Sequence, residues 1–160
     1  MRSWEQKIIR DMVSWQRWRS TVVGCTVVLT NGCFDILHYG HIQFLQSAKF
    51  KPETCRLVVG VNSDRSVKQL KGPTRPINSE NHRLAVIASL ECVDYCLIFN
   101  ETRCDKLLRT IKPDLWVKGG DYTVATLDAD EVAAAKAIKA EIKILPYEPG
   151  ISTTSILSRA

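Results

Sequence analysis

Two histidines, His38 and His41, flank Gly40 at the end of the string Thr30-Asn31-Gly32-Cys33-Phe34-Asp35-Ile36-Leu37-His38-Tyr39-Gly40-His41. At a helix start, imidazole N–H groups can donate to phosphate oxygens. They would do so beside free backbone N–H groups and a positive dipole end, which attract the same anions. Each such donor can also stabilise charge that grows in a transition state. Gly40 has no Cβ, so a phosphate or a nucleotide ring can approach the backbone closely. The pair alone is also compatible with one histidine capping a helix while the other packs. Its spacing falls short of the i, i+4 pair of helical zinc sites, and no third ligand follows at a familiar spacing. No protein-held metal is therefore expected.

Three further strings carry groups of the same kind. Between Asp64 and Arg83 there are five Lys or Arg and two acids. Gly72, Pro73 and Pro76 predict a shaped loop there rather than a helix. Lys71 and Arg75 are candidates to clamp a substrate phosphate, Arg75 with a bidentate fork, and Arg83 to reach the same anion from the following helix. In Val117-Lys118-Gly119-Gly120-Asp121-Tyr122, two glycines let backbone meet ligand. Lys118 can neutralise phosphate charge there, and Asp121 can accept from a ribose hydroxyl. In Pro149-Gly150-Ile151-Ser152-Thr153-Thr154-Ser155-Ile156, the hydroxyls can cap a helix or donate to phosphate.

These strings need a frame to bring them together. Apolar, β-branched runs at Val22–Leu29, Leu57–Val61, Tyr95–Phe99, Leu115–Val117 and Ile142–Leu145 predict five strands, continuous rather than alternating and so covered on both faces. Helical patterns lie between them at His41–Phe50, Ser79–Leu90, Cys104–Ile111 and Asp130–Lys139, with a short last helix at Thr153–Ser158. The order predicts an α/β, Rossmann-like, doubly wound five-stranded parallel sheet with helices on both faces. In such sheets ligands bind outside the carboxyl ends of the strands, which is where the four strings fall. Trp4, Ile8, Met12, Trp15 and Trp18 recur near a helical period over Ser3–Arg19, predicting an N-terminal docking helix in residues 1–20. One domain then spans residues 21–160.

Composition narrows the class. The chain has 160 residues, 45% hydrophobic and 24% charged, which excludes a disordered or collagen-like chain. No apolar run approaches the roughly 20 residues that span a bilayer, and the first twenty residues have no apolar core of a secretory signal. Six cysteines form no CxxC pair, which suits reduced thiols of a cytoplasmic protein. The net charge is +5. Residues 1–20 and 64–83 each carry five basic and two acidic groups, so the excess is concentrated in two places. No aromatic-interleaved basic stripe is present, so no nucleic acid is expected as partner. No membrane partner is expected either, the alternative reading of the N-terminal stretch being a basic, tryptophan-bearing membrane-surface helix.

The string Gly32-Cys33-Phe34-Asp35-x-x-His38-x-Gly40-His41 resembles the signature of the nucleotidylyltransferases, whose hallmark is HxGH. More narrowly, Asn62-Ser63-Asp64, Leu70-Lys71-Gly72-Pro73-x-Arg75-Pro76, VKGGDY and the G-x-S-T-T segment resemble the adenylyltransferase domains that make ADP-heptose. The resemblance runs from about Lys7 to Leu157. It implies transfer of AMP from ATP, with Mg²⁺, to a heptose 1-phosphate. His38, His41 and Lys118 would be catalytic. Nucleotide contacts would come from Asn31, Gly32, Cys33, Phe34, Gly40, Gly119, Asp121, Ser152, Thr153 and Thr154. Contacts to the sugar or its phosphate would come from Asp35, Asn62, Asp64, Lys71, Arg75 and Arg83. A stand-alone enzyme without the kinase domain of the fused bacterial forms is expected, as is a homodimer. The rivals are a cytidylyltransferase acting on glycerol 3-phosphate or a related alcohol phosphate, and a non-catalytic nucleotide- or nucleic-acid-binding regulator.

Overall fold

The computed structural model describes residues 2–51, 53–120, 123–146 and 156–157. The apolar runs become β1 (Thr26–Gly32), β2 (Cys55–Asn62), β3 (Tyr95–Phe99), β4 (Leu115–Gly119) and β5 (Glu141–Leu145). All pair in parallel, in the order β3-β2-β1-β4-β5. Among the described residues α1 (Met12–Thr21) precedes β1, and α2 (Tyr39–Ala48), α3 (Asp64–Lys71), α4 (Glu80–Ser89), α5 (Asp105–Ile111) and α6 (Ala129–Ala137) lie between the strands.

Both faces of the sheet are covered, which is why the middles of β1, β2 and β4 are continuous apolar runs, whereas the edge strand β5 alternates, with Glu141 and Lys143 exposed. Val28, Val59, Val61 and Val117 pack under Phe44 and Leu45 of α2 and Leu84 and Ile87 of α4. On the opposite face Val27, Leu29, Val58 and Trp116 pack under Trp15 of α1, Leu107 and Leu108 of α5, and Ala134 and Ala135 of α6. The predicted fold class is the one observed.

Carboxylates pin the amino ends of the strands. Asp94 accepts from the Leu57 N–H at 2.8 Å and pairs with Lys49 at 2.9 Å. Asp114 accepts from the Val27 N–H at 2.8 Å and pairs with Arg19 of α1 at 2.8 Å. That edge of the sheet is committed to structure. The carboxyl edge is left to hold the candidate chemistry, and the strand order reverses there between β1 and β4, a topological switch point.

Three local expectations are corrected. The first concerns Ser3–Arg19, which is not one helix. A 3₁₀ turn at Glu5–Lys7 gives way to extended chain, where the Ile9 N–H donates to the Cys96 carbonyl at 2.8 Å. Asp11 then caps α1 by accepting from Val13 and Ser14 N–H groups. Extended backbone lets Ile8 join the core on one face and Ile9 that on the other. Neighbouring residues of a helix could not do so.

The second correction is that Asp64–Lys71 is a helix, not a loop. Ser63 accepts from the Ser66 N–H, Val67 is fully buried, and Gly72 at φ +98° ends the helix. These are ordinary cap signals that the prolines beyond had overshadowed. The third is that β1 begins at Thr26 rather than Val22, because Val23 is 92% exposed and Gly24 turns the chain at φ +70°. The strand instead runs on through Gly32. The last helix, expected at Thr153–Ser158, lies outside the described residues except for Ile156 and Leu157, which are helical.

Candidate active site

A cleft of about 650 Å³ opens at the switch point, lined from β1 to His41, by the end of β2 and α3, and by the end of β4. Of the residues expected there, Asn31, Gly32, Cys33, Phe34, Asp35, His38, His41, Asn62, Lys71, Arg75, Lys118 and Gly119 line it. Gly40 is buried in the first turn of α2, between the histidines. Asp121, Ser152, Thr153 and Thr154 lie outside the described residues.

The turn after β1 is sharp. Phe34 sits at φ +47°, a left-handed conformation uncommon outside glycine. Its ring lies over Gly32, where an added Cβ would come within 3.1 Å of it. Across the cleft, a Cβ on Gly119 would stand 2.8 Å from the Phe44 ring, so glycine is required for β4 and α2 to pack together. His38 occupies the N-cap position of α2.

The two imidazoles stack with ring centroids 3.7 Å apart at an interplanar angle of 25°, and Phe34 meets His41 edge-on at 5.3 Å. Burial disfavours the charged form of both rings. It lowers the pKa of His38, and with the His38 charge as a second cause it takes His41 down to about 4. At neutral pH the stacked rings are therefore neutral, each with one N–H to donate and no mutual repulsion.

The side of the cleft formed by Asp35 and Arg75 is cross-braced. Asp35 is 3% exposed, and its carboxylate accepts from the Ile77 and Asn78 N–H groups at 2.9 Å and from Arg75 Nε at 2.5 Å. Burial opposes ionisation of Asp35, but the two backbone bonds and the Arg75 guanidinium outweigh it and hold the pKa below the usual carboxylate value. Arg75 is thus anchored through Nε.

Arg83 was expected to reach the anion, but the structure uses it otherwise. Its side chain is 0% exposed and donates to the Asn78 and Cys33 carbonyls and to Asp64 at 2.9 Å. It ties the turn after β1 to the segment after β2 from behind. Asp64 is correspondingly spent on Arg83, and its own N–H donates to Glu80. Asn62 donates to Ser66 Oγ and to the Glu101 carbonyl. Cys33 has its thiol pKa pushed up by burial, so it is not poised as a nucleophile.

On the β4 side, Lys118 Nζ lies 3.4 Å from Asn31 Oδ1, 5.2 Å from the Trp116 ring centroid and 3.7 Å from a carboxylate oxygen of Glu131. Sequence reasoning missed Glu131. A glutamate in the first turn of a helix reads as a dipole partner, and only the packing of α6 brings it to Lys118. Gly120, the second of the two glycines expected to meet ligand, also lines the cleft, as do Leu70 and Thr102, which had not been singled out. Among the described residues, no group of three or more His, Cys, Asp or Glu could hold a metal ion. No helix among them is long and apolar enough to cross a membrane.

Known proteins resemble the chain in sequence and in fold. Residues 29–159 match the family model described as cytidylyltransferase-like. The chain is 48% identical over 136 residues to the bifunctional protein HldE of Campylobacter fetus subsp. fetus, covering 85% of this chain and 28% of that protein. It is 43% identical over 159 residues to the HldE of Wolinella succinogenes, covering 98% of this chain and 31% of that protein. The chain therefore spans less than a third of the length of these relatives. Among solved structures, the lipopolysaccharide core biosynthesis protein of Thermoplasma volcanium superposes with a TM-score of 0.62 at 32% identity, over 80% of this chain and 100% of that one.

Proposed function

Because the chain belongs to the cytidylyltransferase-like family of nucleotidyltransferases, we propose that it transfers AMP from ATP to a heptose 1-phosphate, releasing pyrophosphate and forming ADP-heptose. The observation that carries this reading is the meeting, in one cleft at the switch point, of two stacked neutral imidazoles and Lys118 on one side and Lys71 and Arg75 on the other. The likeness to bifunctional HldE proteins supports the choice of sugar.

In this reading a phosphate oxygen of the sugar attacks the α-phosphorus of ATP in line. A phosphate monoester dianion is already nucleophilic, so no general base is needed. The rate gain comes from alignment and from charge stabilisation. Neutral His38 and His41 donate N–H bonds to phosphate oxygens as charge moves towards the leaving pyrophosphate, and Lys118 offsets the same charge. Arg75, held through Nε by Asp35, turns the rest of its guanidinium to the incoming sugar phosphate, with Lys71 beside it. Gly119 and the turn at Gly32 give the nucleotide a backbone floor. Mg²⁺ brought in with ATP would supply neutralising charge to the triphosphate, and no group of three or more His, Cys, Asp or Glu among the described residues would hold it apart from the nucleotide.

The test is pyrophosphate release from the purified chain with Mg²⁺, each of the four ribonucleoside triphosphates and a panel of sugar and alcohol phosphates. Release with ATP and a heptose 1-phosphate is expected. Release only with CTP and glycerol 3-phosphate would overturn the substrate assignment.

A further inference from the structure

We propose that Glu131 is a positioning residue that acts through Lys118, holding the lysine ammonium at the mouth of β4 where the phosphate chain of the nucleotide must pass. The inference rests on the nucleotidyl-transfer reading above. Glu131 belongs to the first turn of α6, yet only 6% of it is exposed, and glutamate is seldom buried unless it has partners. Two of its contacts bear on the site. One carboxylate oxygen accepts from the Cys104 N–H at 2.8 Å, at the start of α5. The other lies 3.7 Å from Lys118 Nζ.

Lysine ends in a point charge on a flexible four-carbon stem and has no fork to fix its direction. Here the ammonium is held from three sides, by Glu131 of α6, by Asn31 Oδ1 of β1 at 3.4 Å and by the Trp116 ring. An ammonium has three N–H donors. Asn31 Oδ1 accepts from it at 3.4 Å and Glu131 holds it by charge at 3.7 Å, while Lys118 itself lines the cleft.

The sign of the electrostatics separates positioning from binding. A carboxylate beside a bound triphosphate repels it, so the charge of Glu131 by itself works against nucleotide affinity. Its presence makes sense if it improves the alignment of Lys118 in the transition state. A purely structural role, bonding the Cys104 N–H, would be satisfied by glutamine, which keeps one acceptor oxygen for it while the other oxygen becomes an NH₂ that no longer attracts Lys118.

The experiment is a double-mutant cycle on pyrophosphate release, with wild type, Glu131→Gln, Lys118→Ala and the double variant, each also checked by thermal melting. Glu131→Gln is expected to keep its melting temperature, to lose about tenfold in kcat and to show a KM for ATP no higher than wild type. The double variant is expected to be as slow as Lys118→Ala alone. An unchanged kcat in Glu131→Gln would overturn the proposal, and so would losses that multiply in the double variant. If Glu131→Gln does not fold, Glu131→Asp takes its place. That variant draws the charge back by one methylene and is read by the same two outcomes. The cycle runs on whichever substrate pair the wild type turns over. Turnover of another pair refutes the heptose reading alone, whereas turnover of none refutes both.

Discussion

At the scale of single residues, the stacked histidines set two expectations. If His41 donates to a phosphate oxygen as charge develops there, His41→Ala should lower kcat by roughly 10²–10³, the loss typical of one oxyanion donor. The fold should persist, as checked by steady-state kinetics and circular dichroism on the same preparation. The second expectation concerns pH. The pKa of His41 falls from its ordinary 6.5 to about 4 in the fold, so between those values the unfolded chain binds more protons than the native one. Stability from this group is present above pH 6.5 and is lost as pH falls towards about 4. Asp35, also depressed, withdraws its contribution at still lower pH. Thermal melts from pH 7 to 4 should therefore show a steady fall in wild type, and a flatter one in His41→Gln. The histidine pair was legible in the sequence because its parts are contiguous. Glu131 was not, because nothing local distinguishes it from a solvent-facing glutamate until α6 packs.

Among the elements, the brace behind the cleft matters more than its charge suggests. Arg83 of α4 is fully buried and holds two loop carbonyls and Asp64. Replacing it with methionine would keep much of the volume but strand those acceptors. The expected cost is about 2–4 kcal/mol in a urea melt, together with weaker use of the sugar phosphate because Cys33 and Asn78 lose their common tie. The strands and the helices α2, α4, α5 and α6 were readable from their patterns, since burial on both faces imposes continuous apolar runs. α3 was masked by Gly72 and the prolines after it, although Ser63 and Gly72 themselves mark a helix start and stop. The N-terminal helix was overextended because a helical spacing of tryptophans cannot reveal that Ile8 and Ile9 are needed on opposite faces.

For the molecule as a whole, the N-terminal segment is part of the core rather than an appendage. Trp15 is 3% exposed, its indole N–H donates to the Ile111 carbonyl at 3.3 Å, and Trp18 and Tyr95 complete an aromatic cluster around it. Trp15→Ala should cost about 3–5 kcal/mol, measured by chemical denaturation. The KM for ATP should stay unchanged under conditions where the variant is folded, because the cluster lies away from the residues that line the cleft.

The strand order carries a consequence for synthesis. β1 is central only once β4 has arrived beside it, and the link from Val27 to Asp114 spans 87 residues. At roughly 5–20 residues per second on a ribosome, β1 waits about 4–17 seconds with one flank open. During that interval Val27, Val28 and Leu29 belong to an edge strand, the form most prone to pair with a neighbouring chain. The arrangement that creates the cleft also makes the nascent chain most vulnerable to aggregation just before the cleft exists.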